Sequence, residues 1–157
     1  FLHDVGGTRK EFAIVPILAS FSACSMADST VRTEVEAFIQ ALRQALARLG
    51  RPYCVVAGAE LAHVGMRYGD AAPPTDFSFH RCMQQDLAML KHVEERQPDE
   101  FASFIQREGD QRRIAGFSPI YTLLRLVDAE KGQVLRYDRG ITDQYNSTVT
   151  YASMAFF

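Results

Sequence analysis

One short stretch of the chain concentrates side chains suited to proton transfer. His63 lies two residues before Gly65, with Glu60 three residues earlier and Arg67 four later. An imidazole beside a carboxylate can be held in one tautomer and can give or take a proton near neutral pH. His63 and Glu60 are therefore the candidate catalytic pair. Arg67, Tyr68 and Asp70 follow as candidate substrate-binding residues, supplying a cation, a phenol and a second carboxylate. The plainer alternative is a loop histidine bonded to backbone, and spacing alone leaves both readings open. His3 near the start, His80 at the start of a helix and His92 on a charged helix face read as surface residues. No pair of histidines has HxH or HxxxH spacing, and no GxSxG, P-loop, GxGxxG or HExxH motif occurs. Cys54 reads as a small hydrophobe in a buried strand. Cys24 and Cys82 have no histidine nearby in sequence. A metal-independent hydrolase built on Glu60 and His63 lacks a nucleophile in a convincing setting, and it ranks last.

These residues need elements to position them. Phe12–Leu18 is a continuous apolar run that reads as a buried strand, with Pro16 at an edge, bulge or end. Val35, Phe38, Ile39, Leu42, Leu46 and Leu49 fall on one helical face, with Thr33 and Glu36 as a capping box or Thr30 as the cap. Gly50 and Pro52 end that helix. Tyr53–Gly58 reads as a second buried strand. Strand, helix, strand is the pattern of a βαβ unit, so the expected fold is α/β with a mostly parallel central sheet and flanking helices. His63 would then lie just past the carboxyl end of a central strand, where open α/β sheets place their sites. Downstream, helices are expected over Phe79 to about Gln97, from Pro98 onward with Phe101, Phe104 and Ile105 inward, and from a Ser118 cap with Pro119 in the first turn. Strands are expected at 133–137 and 147–157.

Length and composition set the frame. The chain has 157 residues, 47% apolar and 23% charged, as one ordinary globular domain does. A net charge of -2 and a pI near 6.1 lack the basic footprint of a nucleic-acid binder, and Arg112-Arg113 is too short to be a patch. No apolar run reaches membrane-spanning length. Three cysteines, an odd count without CxxC spacing, fit a reducing, cytoplasmic setting. The chain starts Phe1-Leu2-His3 without Met or a signal peptide and enters a strand-like run within a dozen residues, which reads as a fragment.

Four segments in order resemble one family. Ala62-His63-Val64-Gly65-Met66-Arg67-Tyr68 resembles the D-x-x-H-x-G-x-R-[FY] motif of the Memo family, also described as AmmeMemoRadiSam system protein B. Phe12–Leu18 resembles that family's F-x-I-V-P-[IV]-L strand. Arg113–Ile120 resembles R-x-C-G-x-x-P-I, and Ser147–Ala152 resembles S-S-V-[ST]-Y-A. The resemblance runs over 1–157 as a single Memo-like domain and covers the C-terminal half of a typical member.

The family is similar in fold to class III extradiol dioxygenases, which hold a non-heme metal with two His and a carboxylate. The resemblance implies that His63 takes the acid/base position, that Glu60 stands for the family's Asp, and that Ala115 stands where the family has a Cys ligand. A methyl group cannot bind a metal, and the family's two His ligands belong to the N-terminal half. No residue of this chain is therefore assigned as a metal ligand. Non-heme iron or copper is expected only in a complete protein. The implied function is a metal-dependent redox or dioxygenase-related activity, degenerate here. The alternative is a non-catalytic module that binds a peptide or small anion in the same cleft through Arg67 and His63. Expected partners are a small-molecule or peptide ligand, with neither nucleic acid nor membrane. A second copy of the chain or the missing half would cover the exposed sheet.

Overall fold

Residues 13–157 are described by a computed structural model of the chain. Phe1, Leu2, His3 and Phe12 lie outside the described residues. Helix α1 spans Ser29–Ala47, and its cap is Asp28, whose carboxylate accepts from Thr30 N at 2.7 Å and Val31 N at 3.4 Å. Asp28 thus does the work expected of Thr30 or Thr33. α2, Asp76–Glu94, starts three residues before the expected Phe79. Thr75 and Ser78 exchange side-chain bonds with each other's backbone there, and Asp76 faces the positive end of the helix dipole. Pro98 opens α3, Pro98–Arg107, where its missing N–H costs nothing. α4, Phe117–Leu126, is capped by Gly116 rather than Ser118. The Ser118 hydroxyl instead donates to the Ala19 carbonyl at 2.8 Å.

The sheet is antiparallel, not parallel. β2, Gly132–Ile141, and β3, Thr148–Phe156, form a hairpin registered from Gly132↔Phe156 to Ile141↔Thr148, with a bulge between Val134 and Arg136. β1 is only His63–Val64, paired antiparallel with Val149 and Thr148 of β3. The order is β1-β3-β2. The expected βαβ unit does not form among the described residues. Residues 13–18 and 53–58 run without ladder partners, and apart from the half-buried Val55 and Ala57 their side chains lie in solvent: Val15 is 77% exposed, Leu18 94% and Val56 59%. An apolar run becomes a buried strand only where another strand takes its backbone groups and another layer covers its side chains, and neither is present here. Cys54, expected in a buried strand, is exposed for the same reason.

The core lies between the helices and the inner face of the hairpin. Met89, Leu90 and Val93 of α2, Phe101 and Ile105 of α3, and Phe117, Tyr121 and Leu124 of α4 are buried in it, with Met26 and Ile39. Phe101 stacks on Phe117 with centroids 5.5 Å apart. Phe21 meets Phe117 edge-on at 5.7 Å and so fastens the 19–22 segment to the core.

One fully buried carboxylate sits within this apolar layer. Asp86 of α2 accepts from Thr150 Oγ1 at 2.6 Å, from Tyr137 Oη at 2.7 Å and from the Arg112 guanidinium. Arg112 also pairs with Glu108 at 2.7 Å. Burial pushes the Asp86 carboxyl above its ordinary range, against the pull of Thr150, Arg112 and Tyr137. Burial also pushes the neighbouring Cys82 thiol up to about 12.

Candidate functional site

Three backbone segments converge on His63. The first is the stretch 59–70 itself. The second is the turn 110–116, which enters α4, and the third is 19–22. Gly116 makes the closest approach. Its N–H donates to the Glu60 carbonyl at 2.8 Å, and a Cβ on it would stand 2.3 Å from that oxygen. Gly65, at φ 114°, presses equally hard on Ser147, where a Cβ would lie 2.7 Å from the Cα. Only glycine permits either contact. Together they clamp the His63 loop between the start of α4 and the β2–β3 turn.

The imidazole of His63 is 15% exposed. Nδ1 lies 3.2 Å from both the Leu61 and the Arg113 carbonyl oxygens. Carbonyls only accept, so Nδ1 carries a hydrogen in this network. Nε2 is the nitrogen left facing Glu60. It lies 3.2 Å from Glu60 Oε2, and a proton between the two makes that contact favourable. The Tyr68 ring meets the imidazole edge-on with centroids 5.0 Å apart, which limits its rotation. His63 and Tyr68 line an open cleft of about 590 Å³ together with Ser20, Ser22, Asp110, Arg113, Ala115 and Ser118.

The structure brings His63, Glu60 and Tyr68 together but gives Arg67 and Asp70 other work. Arg67 donates from Nη1 to the Thr142 carbonyl at 3.0 Å and from its backbone to Ser147 Oγ at 3.1 Å. Asp70 accepts from Gly65 N at 2.6 Å and from Arg113 Nη2 at 2.8 Å. Both side chains hold the loop in shape. Asp70 also lines a second cleft of about 630 Å³ on the other side of Arg113. The Tyr68 hydroxyl donates to Thr142 Oγ1 at 3.1 Å, so its ring rather than its oxygen serves the His63 cleft.

Two cleft residues had no local signature. Arg113, at φ 54°, donates from Nη1 to the His63 carbonyl at 3.1 Å. Asp110, at φ 51°, accepts from Ile114 N at 2.8 Å. Gly109-Asp110 marks a turn in the sequence. That the turn closes on His63, about fifty residues away in the chain, is a tertiary fact.

Ala115 lines the cleft beside His63 and brings a methyl group where a sulfur is expected. No three His, Cys, Asp or Glu side chains converge among the described residues. The described residues do not fit a two-histidine, one-carboxylate centre.

Helices packed on an antiparallel hairpin, with a clamped histidine that lines an open cleft and meets a carboxylate beside it, make this an α/β chain. The family profile described as Memo-like protein matches residues 1–155, and the chain belongs to that family. It is 31% identical over 86 residues to a MEMO1 family protein of Thermus thermophilus, a match covering 55% of this chain and 26% of that protein. The aligned part is therefore about a quarter of that relative's length. No described helix is long and apolar enough to cross a membrane.

Proposed function

We propose that this chain contributes the acid/base side of a Memo-type cleft, which takes a small polar molecule and exchanges one proton with it through His63 Nε2. One observation carries the reading: Nδ1 is occupied by two carbonyls, and Nε2 is left to face Glu60 from a ring that lines the cleft. A bound hydroxyl reaching Nε2 would give up its proton to the imidazole, and Glu60 would stabilise the imidazolium so formed. The ring edge of Tyr68 and the Arg113 contact to the His63 carbonyl keep the nitrogen aimed during the transfer. In a complete protein of dioxygenase-related chemistry, this deprotonation is the part that belongs to His63. Such a complete protein would share the extradiol dioxygenase fold, act as an oxidoreductase and work in the cytoplasm.

A second reading has its own support. Ala115 in the cleft favours a member that binds a ligand without turning it over. Catechol separates the two. Under the first reading it shifts the His63 ring resonances of the full-length protein, and the oxygen uptake it supports falls at least about 100-fold in His63→Gln, the usual loss on removing a general base. Ring shifts without uptake give the binding reading. Uptake that is unchanged in His63→Gln refutes the first.

A further inference from the structure

We infer that Asp86, buried in the core and outside the cleft, is a positioning residue that fixes which nitrogen of His63 carries the proton. This rests on the reading of His63 as the proton-exchanging group. Both acceptors of the Nδ1 hydrogen trace back to the same carboxylate. On one side, Thr150 has a single hydroxyl hydrogen and spends it on Asp86 at 2.6 Å. Its lone pair is thereby turned to Ala62 N, which donates to it at 2.9 Å. Thr150 also accepts from Leu61 N at 2.8 Å and donates to the Ala62 carbonyl at 2.9 Å. These bonds fix the Ala62 end of the 61–62 peptide, Ala115 N donates to the Leu61 carbonyl at 3.3 Å at the other end, and the carbonyl stays on Nδ1. On the other side, Asp86 holds the Arg112 guanidinium. The Arg112 carbonyl accepts from His63 N at 2.7 Å, and the next carbonyl, Arg113, is the second acceptor on Nδ1.

Asp86 is fully buried and touches neither the imidazole nor the cleft; of its three partners, Thr150 and Arg112 bond to the His63 segment, while Tyr137 holds the carboxylate from the hairpin. Without it, Thr150 is free to turn its hydroxyl hydrogen elsewhere. The lone pair that Ala62 N–H uses, on a residue with no exposure, is then no longer held toward it, and the bond weakens. A buried unpaired N–H is costly enough to make its peptide reorient. Reorientation carries the Leu61 carbonyl away from Nδ1, and the ring loses one of the two contacts that choose its tautomer.

The test reads the ring nitrogens directly. The full chain is labelled with 15N-histidine, and its four histidines are assigned by loss of one signal in His63→Gln. Spectra are taken at about pH 9, above the ordinary imidazole range. The wild type should show Nδ1 as the protonated nitrogen and Nε2 as the bare one. Asp86→Asn and Thr150→Val should each raise the Nε2–H fraction about fivefold, the ratio for one neutral hydrogen bond. Thr150→Ser, which keeps the hydroxyl, should restore the wild-type spectrum. Thr150→Val keeps the side-chain shape and leaves the Asp86–Arg112 pair in place, so it reports the effect even if Asp86→Asn does not fold. Wild-type ring signals in folded Thr150→Val overturn this inference and leave the acid/base reading standing. An Nε2–H ring in the wild type overturns the acid/base reading itself.

Discussion

Replacing Gly116 by alanine should damage the protein far more than a one-carbon change ordinarily does. The added Cβ would lie 2.3 Å from the Glu60 carbonyl oxygen and 2.8 Å from Ala59 Cβ. The first of these is backbone and cannot swing aside. Forcing the two segments apart is an overpacking cost of about 1–3 kcal/mol. It also stretches the Gly116 N–H bond to Glu60, worth about 1 kcal/mol. The sum is roughly 2–4 kcal/mol, a large part of the stability of a single domain. With a urea slope of about 2 kcal/mol/M, the unfolding midpoint should fall by about 1–2 M. Gly58→Ala is the control. Nothing lies within 4 Å of its added Cβ, and its backbone is outside the left-handed region. That change should leave the midpoint within about 0.5 kcal/mol of wild type or raise it slightly. Equal midpoints for Gly116→Ala and wild type would refute the claim that Gly116 clamps the Glu60 backbone.

Three further outcomes follow from the same geometry. Asp86→Ala leaves a buried guanidinium, a phenol and a hydroxyl without their shared acceptor, and thermal or urea unfolding should show a loss of about 3–5 kcal/mol. Thiol labelling of the native protein should modify Cys24 and Cys54, both exposed, and spare Cys82, whose thiol is buried and pushed up to about 12. Desolvation nudges the Asp143 carboxyl up, but the N–H groups of Ser147 and Tyr145 and the nearby Arg67 charge hold it below its ordinary value. A depressed carboxyl stabilises the fold fully above its unfolded value near pH 3.9, and that contribution fades as pH drops through the folded value. The urea-midpoint gap between wild type and Asp143→Asn should therefore narrow below about pH 4.

What could be read from the chain divides by the range of the interaction. A helix start marked by local chemistry was within reach where Pro98 opens α3, but α2 begins at a Thr75–Ser78 capping box ahead of the expected Phe79, because the two prolines before it make the stretch read as loop. Ser118 misled because its hydroxyl had a tertiary acceptor in Ala19 that outcompeted the local backbone. The runs 13–18 and 53–58 have strand composition, but a strand is a property of two chains of backbone groups and not one, and the second is missing from the described residues. The site shows the same division. His63 and Glu60, three apart, meet as their spacing suggests. Arg67 and Asp70 have the right chemistry for a ligand, but Thr142 and Arg113 claim them first. Asp86 gave no signal at all, because a lone acid on an amphipathic helix reads as solvent-facing until its three donors are seen around it.

The contact between Gly65 and Ser147 has a practical side. Ser147 is fully buried. Its Oγ takes the Arg67 N–H at 3.1 Å and its own N–H goes to Asp143 at 2.9 Å. The 65–70 loop and the 142–147 turn are thus two pieces of one part, separated in the chain by α2, α3, α4 and β2. Anyone grafting the histidine loop onto another scaffold must transplant the hairpin turn with it. A bulkier residue at either position would need a compensating change at the other, so these two sites should vary as a pair.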